Sequence, residues 1–151
     1  VKGLGIYAGL EPISVKGATG WLDTNYAGKV AQGLKALRRH DFVYVHVEAP
    51  DEAGHSGVVA DKIRAIEDFD ARVVGPFVQG LAEFQPYRLL IACDHYTPLA
   101  VKTHTREKVP VLIYDSRRQL GRAEAFSEAQ ADQGPDLSPG HGLLDILLER
   151  V

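Results

Sequence analysis

Phe42-Val-Tyr-Val-His-Val-Glu-Ala-Pro-Asp-Glu-Ala-Gly-His55 is the stretch on which the reading of this chain turns. Its first half, Phe42–Val47, is dominated by β-branched and aromatic residues, the composition of a strand buried in a parallel sheet. Its second half, from Glu48 to His55, reads as a turn-rich loop carrying an Asp and a His four residues apart. A strand that ends in a loop of acids and imidazoles is where α/β proteins place their ligands, because functional groups collect beyond the carboxyl ends of the strands.

Working outward, the same alternation recurs on both sides. Asp23 or Thr24 caps a predicted helix reaching about Arg39, with Tyr26, Val30, Leu34 and Leu37 at helical spacing. Arg38, Arg39 and His40 follow, where positive charge suits the helix dipole. Gly3–Ala8 reads as a short opening strand. Beyond the key stretch, Val58 to Phe84 is helical in pattern, with Ile63, Ile66, Val73, Val74, Phe77 and Leu81 available for a buried stripe. Gly75-Pro76 is expected to kink or break it. Arg88–Cys93 and Val109–Tyr114 supply two further strands, Ala123–Ala131 a short helix, and Leu143–Val151 a final amphipathic helix. Strands alternating with helices argue for an α/β fold with a mostly parallel sheet.

Composition sets the bounds. The chain has 151 residues, enough for a substantial core, and is 45% hydrophobic and 25% charged, as ordinary soluble domains are. A net charge of −3 gives no polyanion-binding surface, which argues against nucleic acid. There is no apolar run long enough for a membrane span. One cysteine fits a reducing, cytoplasmic setting. The lack of any methionine leads us to expect a piece of a longer polypeptide.

The second predicted buried strand also ends in chemistry, at Asp94-His95, and the loop after it carries His104. Two Asp/His pairs, Asp51 with His55 and Asp94 with His95, would thus share one rim of the sheet. On a helical turn the four-residue spacing of the first pair points both side chains the same way. Carboxylate oxygen and neutral imidazole nitrogen suit Mn²⁺, Zn²⁺ or a similar divalent ion, and the lack of thiolate ligands argues against a cysteine-type structural zinc site. Five donors exceed one tetrahedral site, so two ions sharing them is the economical reading. Two metals about 4 Å apart stabilise the attacking and leaving oxygens of a phosphoryl group. The plainer alternative is that each Asp caps a helix and each loop His is solvated.

Other polar residues read as structural. His46 sits within its strand as a core residue or the support of a ligand, with Glu48 on the same face to orient a neighbour. Cys93 reads as a buried small hydrophobe, and His40 and His141 as surface residues. Lys62, Arg64, Arg117 and Arg118 decorate solvated faces, although Lys62 reaches a phosphate if its helix starts at the site.

These residues carry a resemblance that covers almost the whole chain. Lys2-Gly-Leu-Gly-Ile-Tyr-Ala-Gly9, Gly17-Ala-Thr-Gly20, Leu22-Asp-Thr-Asn-Tyr26 and Val45–His55 resemble the archaeal-type cofactor-independent phosphoglycerate mutases. So do Ala65-Ile-Glu-Asp-Phe-Asp70, Val73-Val-Gly-Pro76, Asp94-His-Tyr-Thr-Pro98 and Thr103-His-Thr105. That family belongs to the alkaline-phosphatase superfamily, so the resemblance implies a three-layer α/β domain with two divalent ions, Mn, Zn or Mg. It implies further that Asp51, His55 and His104 hold one ion, and that Asp94 and His95 supply two ligands of the other. The remaining ligands in the family are an N-terminal Asp and a serine nucleophile, and neither has a counterpart here. Ser14, Ser56, Ser116, Ser127 and Ser138 do not occupy the nucleophile's position. Residues 1–151 therefore resemble the C-terminal part of the catalytic domain, lacking its N-terminal part and the inserted capping domain. The implied activity is interconversion of 3- and 2-phosphoglycerate through a phosphoserine, with a small phosphorylated substrate and no turnover by this chain alone. Some bacterial members bear homoserine kinase or phosphonopyruvate decarboxylase-like labels. A metal-dependent phosphohydrolase and a non-enzymatic module on the same fold are the competing readings.

Overall fold

A computed structural model describes residues 1–118 and 124–149. The chain divides into two compact units. The first comprises Val1–Ala82 and Thr97–Thr103, the second Glu83–Tyr96 and His104–Val151.

The first unit is helical. Gly3–Ala8 is not a strand: Lys2–Tyr7 forms α1, closed by Ala8 N–H donating to the Leu4 carbonyl at 2.9 Å. A short apolar run fits either period, and no neighbouring strand among the described residues offers this one a ladder. The helix α2 spans Tyr26–Leu37 and is capped by Asn25 rather than Asp23 or Thr24; the Asn25 side chain accepts from Gly28 N–H at 2.8 Å. Tyr26 and Val30 are buried as expected, joined by Gly33 and Ala36.

The decisive stretch folds differently from its reading in two respects. Residues 42–48 take no regular secondary structure and enter no ladder among the described residues; Phe42, Val43, Val45, His46 and Val47 are half-buried, and Tyr44 and Glu48 are exposed. Their β-branched composition suits a strand with neighbours on both sides, and none is supplied among the described residues. Instead Lys29 Nζ of α2 donates to the His46 carbonyl at 2.8 Å. The supposed loop that follows is a helix, α3, Ala49–Ser56. Pro50 in its first turn is pre-set for helix entry, and Asp51 and Glu52 meet the positive end of the dipole. Gly57, at φ 76°, ends it in the left-handed conformation. One face of α3, through Ala49 and Ala53, packs with Leu22 and Ala65 into a small core, with Val47 against it.

Helix α4, Val59–Phe69, continues through a π-helical turn at Asp70–Val74 into α5, Gly75–Leu81, and a 3₁₀ turn at Ala82–Phe84. Gly75-Pro76 does not break this run: the wider turn just before Pro76 absorbs the proline. Val73, Phe77 and Leu81 are buried as read, whereas Ile63 and Ile66 are exposed. Phe77 lies against Gly33 of α2, where an added Cβ would meet its Cζ at 2.5 Å.

In the second unit β1, Arg88–Ala92, pairs with β2, Val111–Asp115. The pairing is antiparallel, from Arg88 opposite Asp115 to Ala92 opposite Val111, which corrects the parallel expectation for these two strands. A parallel return needs a crossover element, and no helix intervenes between residues 93 and 110. The strands are half-buried rather than central, and Cys93 is exposed, not a core residue. Helix α6 covers Glu128–Ala131; the predicted start at Ala123 lies outside the described residues. Helix α7 is shorter than read, Leu143–Leu147, and Arg150 and Val151 lie outside the described residues.

Arg117 and Arg118 do not merely decorate a solvated face. The Asp115 side chain is fully buried, and Arg117 holds it at 2.9 and 2.6 Å while Arg88 donates to it at 2.9 Å. Arg88 also donates to the Ile146 and Leu147 carbonyls, tying the end of α7 to β1, and Glu149 takes Arg88 and Arg117. Hydrogen bonds from Arg117 hold the Asp115 carboxyl far below the usual carboxylate range, against the opposing effect of burial.

Candidate metal centre

Within the first unit, the turn of α3 does what the four-residue spacing requires. Asp51 and His55 project from one side of the helix, both half-buried, with Asp51 Oδ2 at 3.4 Å from His55 Nε2. His55 Nδ1 lies 2.9 Å from the Lys102 carbonyl. A carbonyl only accepts, so the Nδ1 position carries the proton. In the neutral ring Nε2 then presents its lone pair toward the carboxylate oxygen. Two acceptors directed at one place repel each other unless a cation or a proton lies there. The arrangement suits a metal ligand, since a ligating histidine has its second nitrogen held by a carbonyl or carboxylate.

The other carboxylate oxygen is occupied. Thr97, 4% exposed, donates Oγ1 to Asp51 Oδ1. The approach is close because α3 carries glycine at 54: a Cβ there would sit 2.5 Å from the Thr97 carbonyl oxygen.

In the second unit, an isolated antiparallel bridge between Tyr96 and Thr105 leaves His95 and His104 as diagonal neighbours on one face, within reach of ring contact. Their rings stack with centroids 3.6 Å apart. Asp94 Oδ2 lies 3.4 Å from His95 Nε2, and Asp94 is largely exposed while His95 is mostly covered. So Asp51 and His55 come together in one unit, and Asp94, His95 and His104 in the other. Both donor sets are oxygen and imidazole nitrogen, which fits a divalent ion of the Mn or Zn type.

The supporting residues are partly as read. His46 Nε2 stands 3.6 Å from Glu48 Oε1, and the Tyr44 ring stacks on His46. Burial lowers the Lys29 ammonium below the ordinary lysine value, with Glu48 pulling it back. His40 is exposed beside Glu11, and His141 is exposed. Lys62 is half-buried and donates to the Pro50 carbonyl at 2.6 Å, fastening the start of α3. Sequence reasoning missed Thr97 and Lys102 as orienting residues. Thr97 had a signal, three residues after Asp94 in a loop with site chemistry; a carbonyl of Lys102 has none.

Comparison with known proteins agrees with this donor chemistry. A profile described as "Metalloenzyme superfamily" matches residues 4–137. A Geobacter sulfurreducens protein named "Probable 2,3-bisphosphoglycerate-independent phosphoglycerate mutase" is 49% identical over 99% of this chain and 38% of its own length. A Methanosarcina mazei protein named "2,3-bisphosphoglycerate-independent phosphoglycerate mutase" is 47% identical over the same shares. The solved structure of the PH0037 protein from Pyrococcus horikoshii superposes with a TM-score of 0.87 at 29% identity, covering 98% of this chain and 44% of that one. The chain thus spans well under half the length of the relatives it matches. With the profile running through both Asp/His pairs and His104, and the fold matched over nearly every residue, the chain belongs to the Metalloenzyme superfamily, the alkaline-phosphatase-like α/β proteins.

Proposed function

We propose that residues 1–151 are the C-terminal part of the metal-binding domain of a 2,3-bisphosphoglycerate-independent phosphoglycerate mutase. The protein would be a cytoplasmic enzyme interconverting 3- and 2-phosphoglycerate. In this reading Asp51, His55 and His104 hold one divalent ion, and Asp94 and His95 contribute to a second. The observation that carries it is the opposition of Asp51 Oδ2 and His55 Nε2 at 3.4 Å, with Nδ1 already committed to a carbonyl. Supporting it are the names of the relatives, the superfamily profile, and a second Asp/His pair with His104 stacked on it. Bound Mn²⁺ or Zn²⁺ would supply charge stabilisation for a transferring phosphoryl group. The chain's own residues contribute donors and their orientation. The nucleophile is not among them, since none of the five serines occupies the position of the family's nucleophile.

The test is Asp51→Ala and Asp94→Ala in the intact protein. Each variant is expected to lose Mn²⁺ uptake, read by titration calorimetry, together with mutase activity. Retained activity in either would sink the two-metal assignment. The isolated chain is expected to show no interconversion; measurable turnover would contradict the fragment reading.

A further inference from the structure

Lys102 has a left-handed backbone, φ 56°, in a region that lysine rarely adopts. The local cause is a turn: the Lys102 N–H donates to the Pro98 carbonyl at 2.8 Å, and the residue closing such a turn is usually Gly or Asn. Two further contacts show what this conformation accomplishes. It turns the Lys102 carbonyl onto His55 Nδ1 at 2.9 Å. It also lays the lysine side chain across Gly57, where a Cβ would come within 2.2 Å of Cε. At the other end of the same segment, Thr97 is pressed on Gly54 and donates to Asp51 Oδ1. The segment is thus seated on α3 at both ends, each time on a glycine, and each end holds one donor residue.

We propose that residues 97–103 form a strap that positions the donor atoms of α3, with Thr97 aiming the Asp51 carboxylate and the Lys102 carbonyl fixing the His55 tautomer. This rests on the reading of Asp51 and His55 as metal donors. Thr97 and Lys102 act through those residues, and so are positioning residues. Gly54 in α3 and Gly57 at its end let the strap approach.

The experiment uses the intact protein and two readouts. The His55 tautomer is read without metal, by long-range proton–nitrogen NMR of histidine-labelled protein in mildly alkaline buffer. Mn²⁺ affinity is read by calorimetry. Wild type is expected to carry the proton on Nδ1. Lys102→Gly keeps the carbonyl and accepts the left-handed backbone, so it should retain both tautomer and affinity. Lys102→Val, β-branched and strained there, should lose the Nδ1 preference. Thr97→Val keeps shape but removes the donor to Asp51, and should weaken Mn²⁺ binding about 10–100-fold, the usual effect of removing an orienting partner. Should Lys102→Val fail to fold, the wild-type tautomer and Thr97→Val still decide. A wild type that binds Mn²⁺ with His55 protonated on Nε2 in its metal-free form would overturn the strap and leave the metal reading standing. So would Thr97→Val with undiminished affinity. A wild type that keeps the Nδ1 proton but takes up no Mn²⁺ would overturn both the metal reading and the positioning role built on it.

Discussion

Gly54→Ala is the substitution whose outcome tests the packing of α3 most directly. Gly54 is buried between Asp51 and His55, and the Cβ of alanine would stand 2.5 Å from the Thr97 carbonyl oxygen and 2.9 Å from Thr97 Cβ and Cγ2. Ordinary contact begins near 3.4 Å, so residue 97 must retreat by about 0.9 Å. Two of the contacting atoms lie on Cβ or the backbone, and a buried side chain has no rotamer in which they step aside. Such overpacking costs about 1–3 kcal/mol. Alanine regains about 1 kcal/mol over glycine inside a helix. The net loss is therefore about 1 kcal/mol, read as a lower urea midpoint in the metal-free protein. Binding should suffer more than stability. Moving Thr97 takes the hydrogen bond from Asp51 Oδ1, and loss of an orienting partner lowers metal affinity about 10–100-fold. That range corresponds to about 1.4–2.7 kcal/mol. Gly140→Ala serves as the control, because nothing lies within 4 Å of its Cβ. If Gly54→Ala matched wild type in both midpoint and Mn²⁺ affinity, Thr97 could not be seated on α3 as described.

Three further outcomes follow from the packing and charge of each unit. Asp115→Asn should flatten the acid limb of a melting-temperature series: the folded carboxyl titrates well below its ordinary 3.8, so its contribution is complete above that pH and is lost as pH falls toward the folded value. Identical acid limbs in variant and wild type would refute the buried ion network. Gly33→Ala drives a Cβ onto the Phe77 ring at 2.5 Å and should lower stability by about 1 kcal/mol after helix propensity is credited, measured by urea denaturation; an unchanged midpoint would mean α2 and α5 are not in close contact. Mn²⁺ at about one hundred times its dissociation constant should raise the stability of the intact protein by about 2.7 kcal/mol, reversibly with chelator. The same addition should stabilise Asp51→Asn by less than wild type, and an equal shift in that variant would place the ion elsewhere.

Much of the fold was legible because it depends on local patterns. The helix beginning at Tyr26 showed in the spacing of Tyr26 and Val30, and the run from Val59 to Phe84 in Val73, Phe77 and Leu81. What failed was everything that depends on neighbours. Phe42–Val47 has the composition of a central strand but no ladder among the described residues, and Gly3–Ala8 winds into a helix for the same want of a partner. Strand direction failed likewise: whether Arg88–Ala92 meets a parallel or antiparallel neighbour is decided by the path of residues 93–110, and irregular loops have no period to read. Arg117 looked like a surface charge because its partners, Asp115 on the preceding strand and Glu149 beyond α7, are brought together only by the fold.

The proposed metal donors stood out for a different reason. Asp51 and His55 are four residues apart, so once Ala49–Ser56 is a helix their convergence needs no tertiary information. Asp94 and His95 are adjacent, and a single bridge between Tyr96 and Thr105 suffices to bring His104 to them. Donor identity is thus written in side chains at short range. Donor orientation is not. The proton on His55 is assigned by a backbone carbonyl 47 residues away, a group every residue possesses. The trace that such a contact leaves in sequence is indirect: a glycine at 54, inside a helix whose propensity it weakens, where alanine would serve better unless another segment must lie against it. In this chain, Gly54 between the two proposed ligands carries information about their orientation that the ligands themselves do not.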